Sequence, residues 1–67
     1  MSIARITEIS SISAKSFDDA IAQGVARANK TLRNVKGAWV QDMEVDVDKG
    51  KITGWKVILK VTFVIDE

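Results

Sequence analysis

The 67-residue sequence has no cysteine and no histidine. That removes disulfides, Cys/His zinc sites and any catalysis built on a thiolate or an imidazole. Its serines sit in no motif that supplies a base, and no Gly-rich phosphate loop is present, so an enzyme is not expected. Charge of one sign is also lacking. Ten basic against nine acidic side chains leave +1, too little to draw in nucleic acid or a membrane surface. Arg27, Lys30, Arg33 and Lys36 recur every three residues, a spacing that winds around a helix and makes no phosphate-tracking stripe. No apolar run approaches the ~20 residues needed to cross a bilayer. Met1-Ser2-Ile3-Ala4-Arg5 lacks the basic-then-apolar layout of a signal peptide, and a cysteine-free chain fits a reducing compartment, so the protein is expected in the cytoplasm. There are no repeats, linkers or low-complexity stretches, and residues 1–67 make one domain. So short a chain buries only about 60% of the surface its unfolded form exposes. With disulfides and Cys/His zinc removed, oligomerisation is the remaining staple.

What the chain does have is a long alternation at its end. Trp55, Val57, Leu59, Val61, Phe63 and Ile65 share one face of an extended strand, and Ile52, Gly54, Lys56, Ile58, Lys60, Thr62 and Val64 share the other. At ~3.3 Å per residue the strand runs roughly 45 Å, so it must curve around something or reach a neighbouring chain. Residues 3–10 predict a first strand of ambiguous phase, ended by the serines at 10, 11 and 13. Phe17, Ala20, Ile21, Gly24, Val25, Ala28 and Leu32 follow helical spacing and fill an arc of roughly 140°. Ser16 is the expected N-cap, with Asp19 completing an approximate capping box. Asp18 and Asp19 sit at the positive end of the helix dipole, Lys30 and Arg33 at the negative end. Gly24, in the middle of the apolar arc, costs ~1 kcal/mol in propensity, which points to close approach of a crossing strand.

The two last strands predict a hairpin. A three-residue loop, Asp48-Lys49-Gly50, pairs Val47 with Lys51, Val45 with Thr53 and Met43 with Trp55, gathering the inward residues on one face. It also sets Asp42 opposite Lys56 as a surface ion pair. Trp55 is then a packing residue of the core. Trp39 has two readings. Unbroken alternation places it in the core with Met43, Val45 and Val47. A bulge near Gln41-Asp42 turns Ala38 and Val40 inward against Leu59 and Val57 and sends Trp39 outward beside Ile58. An exposed apolar patch of that kind marks a subunit interface or a ligand site. Asp42, Glu44, Asp46 and Asp48 line one strand face, ordinarily a solvated face; paired around an assembly axis their oxygens could hold Ca²⁺ or Mg²⁺. Asp46-Val47-Asp48-Lys49-Gly50 is not an EF-hand loop, because the third acidic ligand and the distant Glu are missing.

The run Ala20 to Val35, the ending Val57 to Glu67 and the opening Arg5-Ile6-Thr7-Glu8-Ile9-Ser10-Ser11-Ile12-Ser13 closely resemble the dodecins, over nearly the whole chain. The resemblance implies a β-α-β-β fold of α+β class, with a three-stranded antiparallel sheet wrapped around one helix, assembled as a hollow dodecamer that binds and stores flavin. It also favours the outward Trp39. The Trp on which dodecins stack the flavin ring aligns with Gly37, their ring-binding Gln with Lys56, and the Arg that meets flavin phosphates with Glu44. Trp39 lies two residues beyond Gly37, on the same strand face, and can offer a displaced stacking surface. Two functions follow. One is a shell that holds a flavin (riboflavin or FMN) or another planar aromatic ligand at Trp39, with Lys56 and Gln41 at its edges and Gly37 beside it. The other is a flavin-independent structural or Ca/Mg-binding assembly on the same scaffold.

Overall fold

In the computed structural model, which describes residues 3–66, the order is β1 (Ile3–Ser13), α1 (Phe17–Thr31), β2 (Val35–Asp48) and β3 (Lys51–Asp66). The N-terminal layout at Met1-Ser2 and the final Glu67 of the resemblance lie outside the described residues. All three strands pair antiparallel in the order β1-β3-β2, with β3 in the centre. This is the expected β-α-β-β arrangement.

Helix α1 begins where the sequence places it. Ser16 has extended backbone, and its Oγ accepts from the Asp19 N–H at 3.0 Å. The capping box is modified, however. The Asp19 carboxylate accepts from Ser13 Oγ at 2.6 Å and from Gln23 Nε2, while Ser13 Oγ accepts from the backbone N–H groups of Lys15 and Ser16. These bonds hold the Asp19 carboxyl below its ordinary pKa, Ser13 contributing most. They also correct the expected end of the first strand. β1 runs through its serines to Ser13, which is buried as the link between strand and helix.

Ala20, Ala28, Val57, Leu59 and Val61 form the buried core, with Ile9, Phe17, Ile21, Val25, Leu32, Val35 and Val40 packed around them. The helix therefore lies on β3 with its small residues inward. An ideal Cβ at Gly24 would come 2.8 Å from Leu59 Cδ1 and 3.2 Å from Ser11 Cβ, so the glycine is what lets helix and sheet approach. After the helix, Asn34 turns the chain at φ 59°. Its Nδ2 donates to the Val64 carbonyl, and its own carbonyl accepts from the Val64 N–H.

The hairpin departs from the expected register. Its loop has two residues, Lys49 (φ 52°) and Gly50 (φ 80°), with Asp48 opposite Lys51, as in a type I′ turn. The inward residues nonetheless coincide, because a bulge at Thr53 shifts the phase. Val47 pairs with Ile52, Val45 with Trp55 and Met43 with Val57. Trp55 thus faces Val45 rather than Met43. Lys56 faces Glu44 rather than Asp42, and the ion pair it makes is Lys56–Glu44, at 2.9 Å.

The folded chain is long and open. It measures 51 × 19 × 14 Å with a radius of gyration of 13.7 Å, against ~11 Å for a compact chain of this length. Its accessible surface is 4964 Å², where a folded monomer of this mass exposes ~4200 Å².

Candidate functional site

The face of the sheet remote from α1 carries the site residues, and two irregularities of β2 position them. Lys36 is an extra residue between the pairs Val35–Phe63 and Gly37–Thr62, and Gln41 is another between Val40–Leu59 and Asp42–Ile58. The Gln41 bulge is the one foreseen near Gln41-Asp42. It puts Val40 and Ala38 on the helix side of the sheet, opposite Leu59 and Val61 rather than Val57 and Leu59; Val40 packs on the core, Ala38 stays exposed contrary to expectation, and Trp39 is left outward, 64% exposed.

Register then assembles the outer face in rows across the three strands. Ile6, Thr62 and Gly37 form one; Glu8, Lys60 and Trp39 the next; Ser10, Ile58 and Asp42 the third; Ile12, Lys56 and Glu44 the fourth. Trp39 is therefore opposite Lys60, not Ile58. Lys60 Nζ lies 5.4 Å from the centre of the indole ring, within reach of a cation–π attraction worth ~0.5–1 kcal/mol at an exposed site. Gly37, two residues along the same face, is exposed, with nothing within 4 Å of where a Cβ would stand. The absent side chain leaves open space beside the indole.

Of the four residues singled out from the sequence, Trp39 and Gly37 are neighbours on this face. Gln41 is exposed and occupies the bulge. Lys56 shares the face but stands four positions along β3 from Lys60, ~13 Å away, and its ammonium is engaged by Glu44. That hydrogen bond and charge raise the Lys56 pKa above its ordinary value. The pairing also compensates the Glu44 carboxylate, which the sequence alone presents as a repulsive charge. Lys60 is the residue that sequence reasoning missed. Alternation places it on the outer face, but only the register sets it against Trp39. Among the described residues no group of three or more Asp, Glu, His or Cys converges as metal ligands, and Asp42, Glu44 and Asp46 are spread over successive rows.

The site so defined is one exposed indole on a ribbed sheet face, with a cation over it and a gap beside it. It can stack a planar ring. A flavin ring fits the donor set in part: an aromatic wall and a cation are present at Trp39, while the ring-edge donor Lys56 is held apart.

The fold and this face define a small α+β chain with an uncovered, aromatic-bearing sheet. The family model for Dodecin matches residues 3–66, and the chain belongs to the dodecin family. Among solved structures it is similar to the dodecin from Streptomyces davaonensis at 35% identity, covering 98% of this chain and 97% of that one with a TM-score of 0.91. The dodecin from Streptomyces coelicolor matches at 30% identity, with 98% and 94% covered and the same TM-score of 0.91. A third is the calcium chelating immunodominant antigen, calcium dodecin, from Mycobacterium tuberculosis, described with a novel calcium-binding site. It is 30% identical, with 92% and 89% covered and a TM-score of 0.81. No curated protein matches the chain by sequence. No helix among the described residues is long and apolar enough to cross a membrane.

Proposed function

We propose that the protein is a homo-oligomeric, non-enzymatic binding and storage module of the cytoplasm that holds a planar aromatic ligand, a flavin first among candidates, against Trp39. The observation that carries this is the position of Trp39: 64% exposed on the uncovered sheet face, with open space at Gly37 on one side and Lys60 over the ring. Exposing an indole forgoes its burial, and a stacked ligand recovers that surface. The assembly is supported by the family, by the small core and by the ~760 Å² of surface beyond that of an ordinary folded monomer of this mass. Riboflavin, FMN or another planar ring brings its own π-face to the indole. The protein supplies the wall and the cation, and the ligand's polar edge meets residues that differ from those of flavin-binding dodecins.

The test is titration of riboflavin, and separately of its phosphate FMN, with purified protein while following flavin fluorescence. Saturable quenching that is lost in Trp39→Ala at unchanged assembly mass supports the reading. Flavin fluorescence unchanged at tens of micromolar protein overturns flavin as the ligand. A second reading, the Ca²⁺- or Mg²⁺-binding assembly, draws on the similarity to a calcium dodecin and on the exposed carboxylates of Asp42, Asp46 and Asp48. Since these are spread along one strand, a cation would need oxygens from more than one copy. Calorimetric titration with Ca²⁺ separates this reading from the first.

A further inference from the structure

On the helix side of the sheet, away from Trp39, α1 and β1 do not close on each other. β1 is an outer strand, paired only with β3, and the side chains it sets opposite Val61, Leu59 and Val57 are Thr7, Ile9 and Ser11. Only Ile9 among these is large and apolar. The helix contributes Gly24 and Ala28, both buried. Small side chains on both elements leave a cavity of about 540 Å³ between them, inside the ~300–1,000 Å³ range of small-molecule sites. Ala28 belongs to the core and Ile9 and Leu32 pack on it, so these three make an apolar floor. Half-buried Thr7 and Ser11 and exposed Arg27 stand at the rim.

The polar groups of this cavity are one-sided in charge. No carboxylate lines it. Asp19, on the same helix, is engaged by Ser13 and Gln23, and Glu8 lies on the other face of the sheet, in the row of Lys60. Among the described residues the Arg27 guanidinium has no carboxylate partner, and the Thr7 and Ser11 hydroxyls have no hydrogen-bond partner. Donors without acceptors therefore surround an apolar floor. We propose that the cleft between α1 and β1 binds a small amphipathic carboxylate, its apolar body on Ile9, Ala28 and Leu32 and its carboxylate on Arg27. The guanidinium fork matches a carboxylate in two parallel hydrogen bonds, and one cation balances one negative charge, which a doubly charged phosphate would exceed. An apolar protein segment laid in the same cleft would leave the guanidinium and both hydroxyls without acceptors. The site needs no flat ring and no part of the Trp39 face, so it goes beyond the flavin reading and does not rest on it.

Octanoate is the probe, a singly charged carboxylate on a flexible chain with no ring to stack on Trp39. Equilibrium dialysis of labelled octanoate against the purified protein should show saturable binding of one molecule per chain. Octanol, with the same chain and no charge, should bind roughly tenfold more weakly, because it forfeits the charge-assisted hydrogen bonds. Arg27→Gln should lose octanoate affinity by a similar factor, so that it binds octanoate and octanol alike. Lys51→Gln makes the same change of net charge at an exposed position of the hairpin and should bind octanoate as the wild type does. No saturable octanoate binding at millimolar concentration overturns the proposal, as does a wild type that binds octanoate and octanol equally or an Arg27→Gln that binds octanoate unchanged. A cleft filled by a neighbouring copy would appear as no octanoate binding together with an altered assembly mass of Arg27→Gln in native mass spectrometry, and overturns it as well.

Discussion

Replacing Gly24 with alanine sets two effects of known sign against each other. Alanine in a helix interior is favoured over glycine by ~1 kcal/mol, so on an exposed face the change would stabilise. At Gly24 the added Cβ meets Leu59 Cδ1 at 2.8 Å and Ser11 Cβ at 3.2 Å. The leucine methyl is at the end of a flexible side chain, but Leu59 is fully buried, so turning it disturbs the side chains packed around it. Ser11 Cβ is fixed by the backbone of β1 and can move only if the strand does. Overpacking of this kind costs ~1–3 kcal/mol, so Gly24→Ala should be destabilised by about 1 kcal/mol net. Urea unfolding followed by far-UV circular dichroism, at one protein concentration because assembly shifts the midpoint, gives the value. Leu59→Val removes the clashing methyl. Combined with Gly24→Ala it should cost less than the sum of the single changes, with a coupling of ~0.5 kcal/mol or more. A stabilised Gly24→Ala, or strict additivity with Leu59→Val, would refute the close-approach argument.

Removing the cap hydroxyl in Ser16→Ala should cost about 1 kcal/mol, read from the same unfolding curves. Asn34→Val places a β-branched residue at φ 59° and loses the bond to Val64, so it should be destabilised by ~1–2 kcal/mol, whereas Asn34→Gly should lose less. Lys49→Asn, in a turn position with φ 52°, should raise stability by up to ~1 kcal/mol, since asparagine tolerates the left-handed region. The Asp19 carboxyl has a lowered pKa in the folded state, so its contribution is present above the unfolded value and is lost as pH falls through the folded one. Ser13→Ala removes the largest cause of that lowering, and its acid-unfolding midpoint should move to higher pH. An unchanged midpoint would mean that Ser13 does not hold Asp19.

Much of the fold was legible because it rests on local periodicity. The helical arc from Phe17 to Ala28, the hydroxyl cap at Ser16 and the two faces of β3 from Gly54 to Val64 each follow from spacing within a single element and are found in the structure. Ile52, expected on the face of Gly54 and Lys56, instead crosses to the other at the Thr53 bulge, and Leu32 is an extended C-cap beyond the last helical turn. The bulge beside Gln41 was also within reach, since only an extra residue there lets Val40 share the inward face with Met43, Val45 and Val47. The hairpin register was not. Choosing a three-residue loop assumed that the strands beyond it were regular, and the bulge at Thr53 reaches the same facing through a two-residue turn. The difference between those registers is a sum of small cross-strand terms of ~0.2–1 kcal/mol each, which no inspection of one strand can rank.

The candidate site divides the same way. The sequence by itself determined that the chain forms no disulfide, and that it has an amphipathic helix, an overlong alternating strand and one tryptophan whose facing turns on a bulge. Those properties belong to residue types and their intervals. Tertiary structure alone decided that Trp39 stands opposite Lys60, that Lys56 is taken by Glu44, and that the hairpin projects past Ser13 with an apolar face that its own helix is too short to cover. These depend on pairing residues more than ten positions apart in sequence, and on helix rise against strand rise, 1.5 Å against 3.3 Å per residue, which together set what is covered and what is left open.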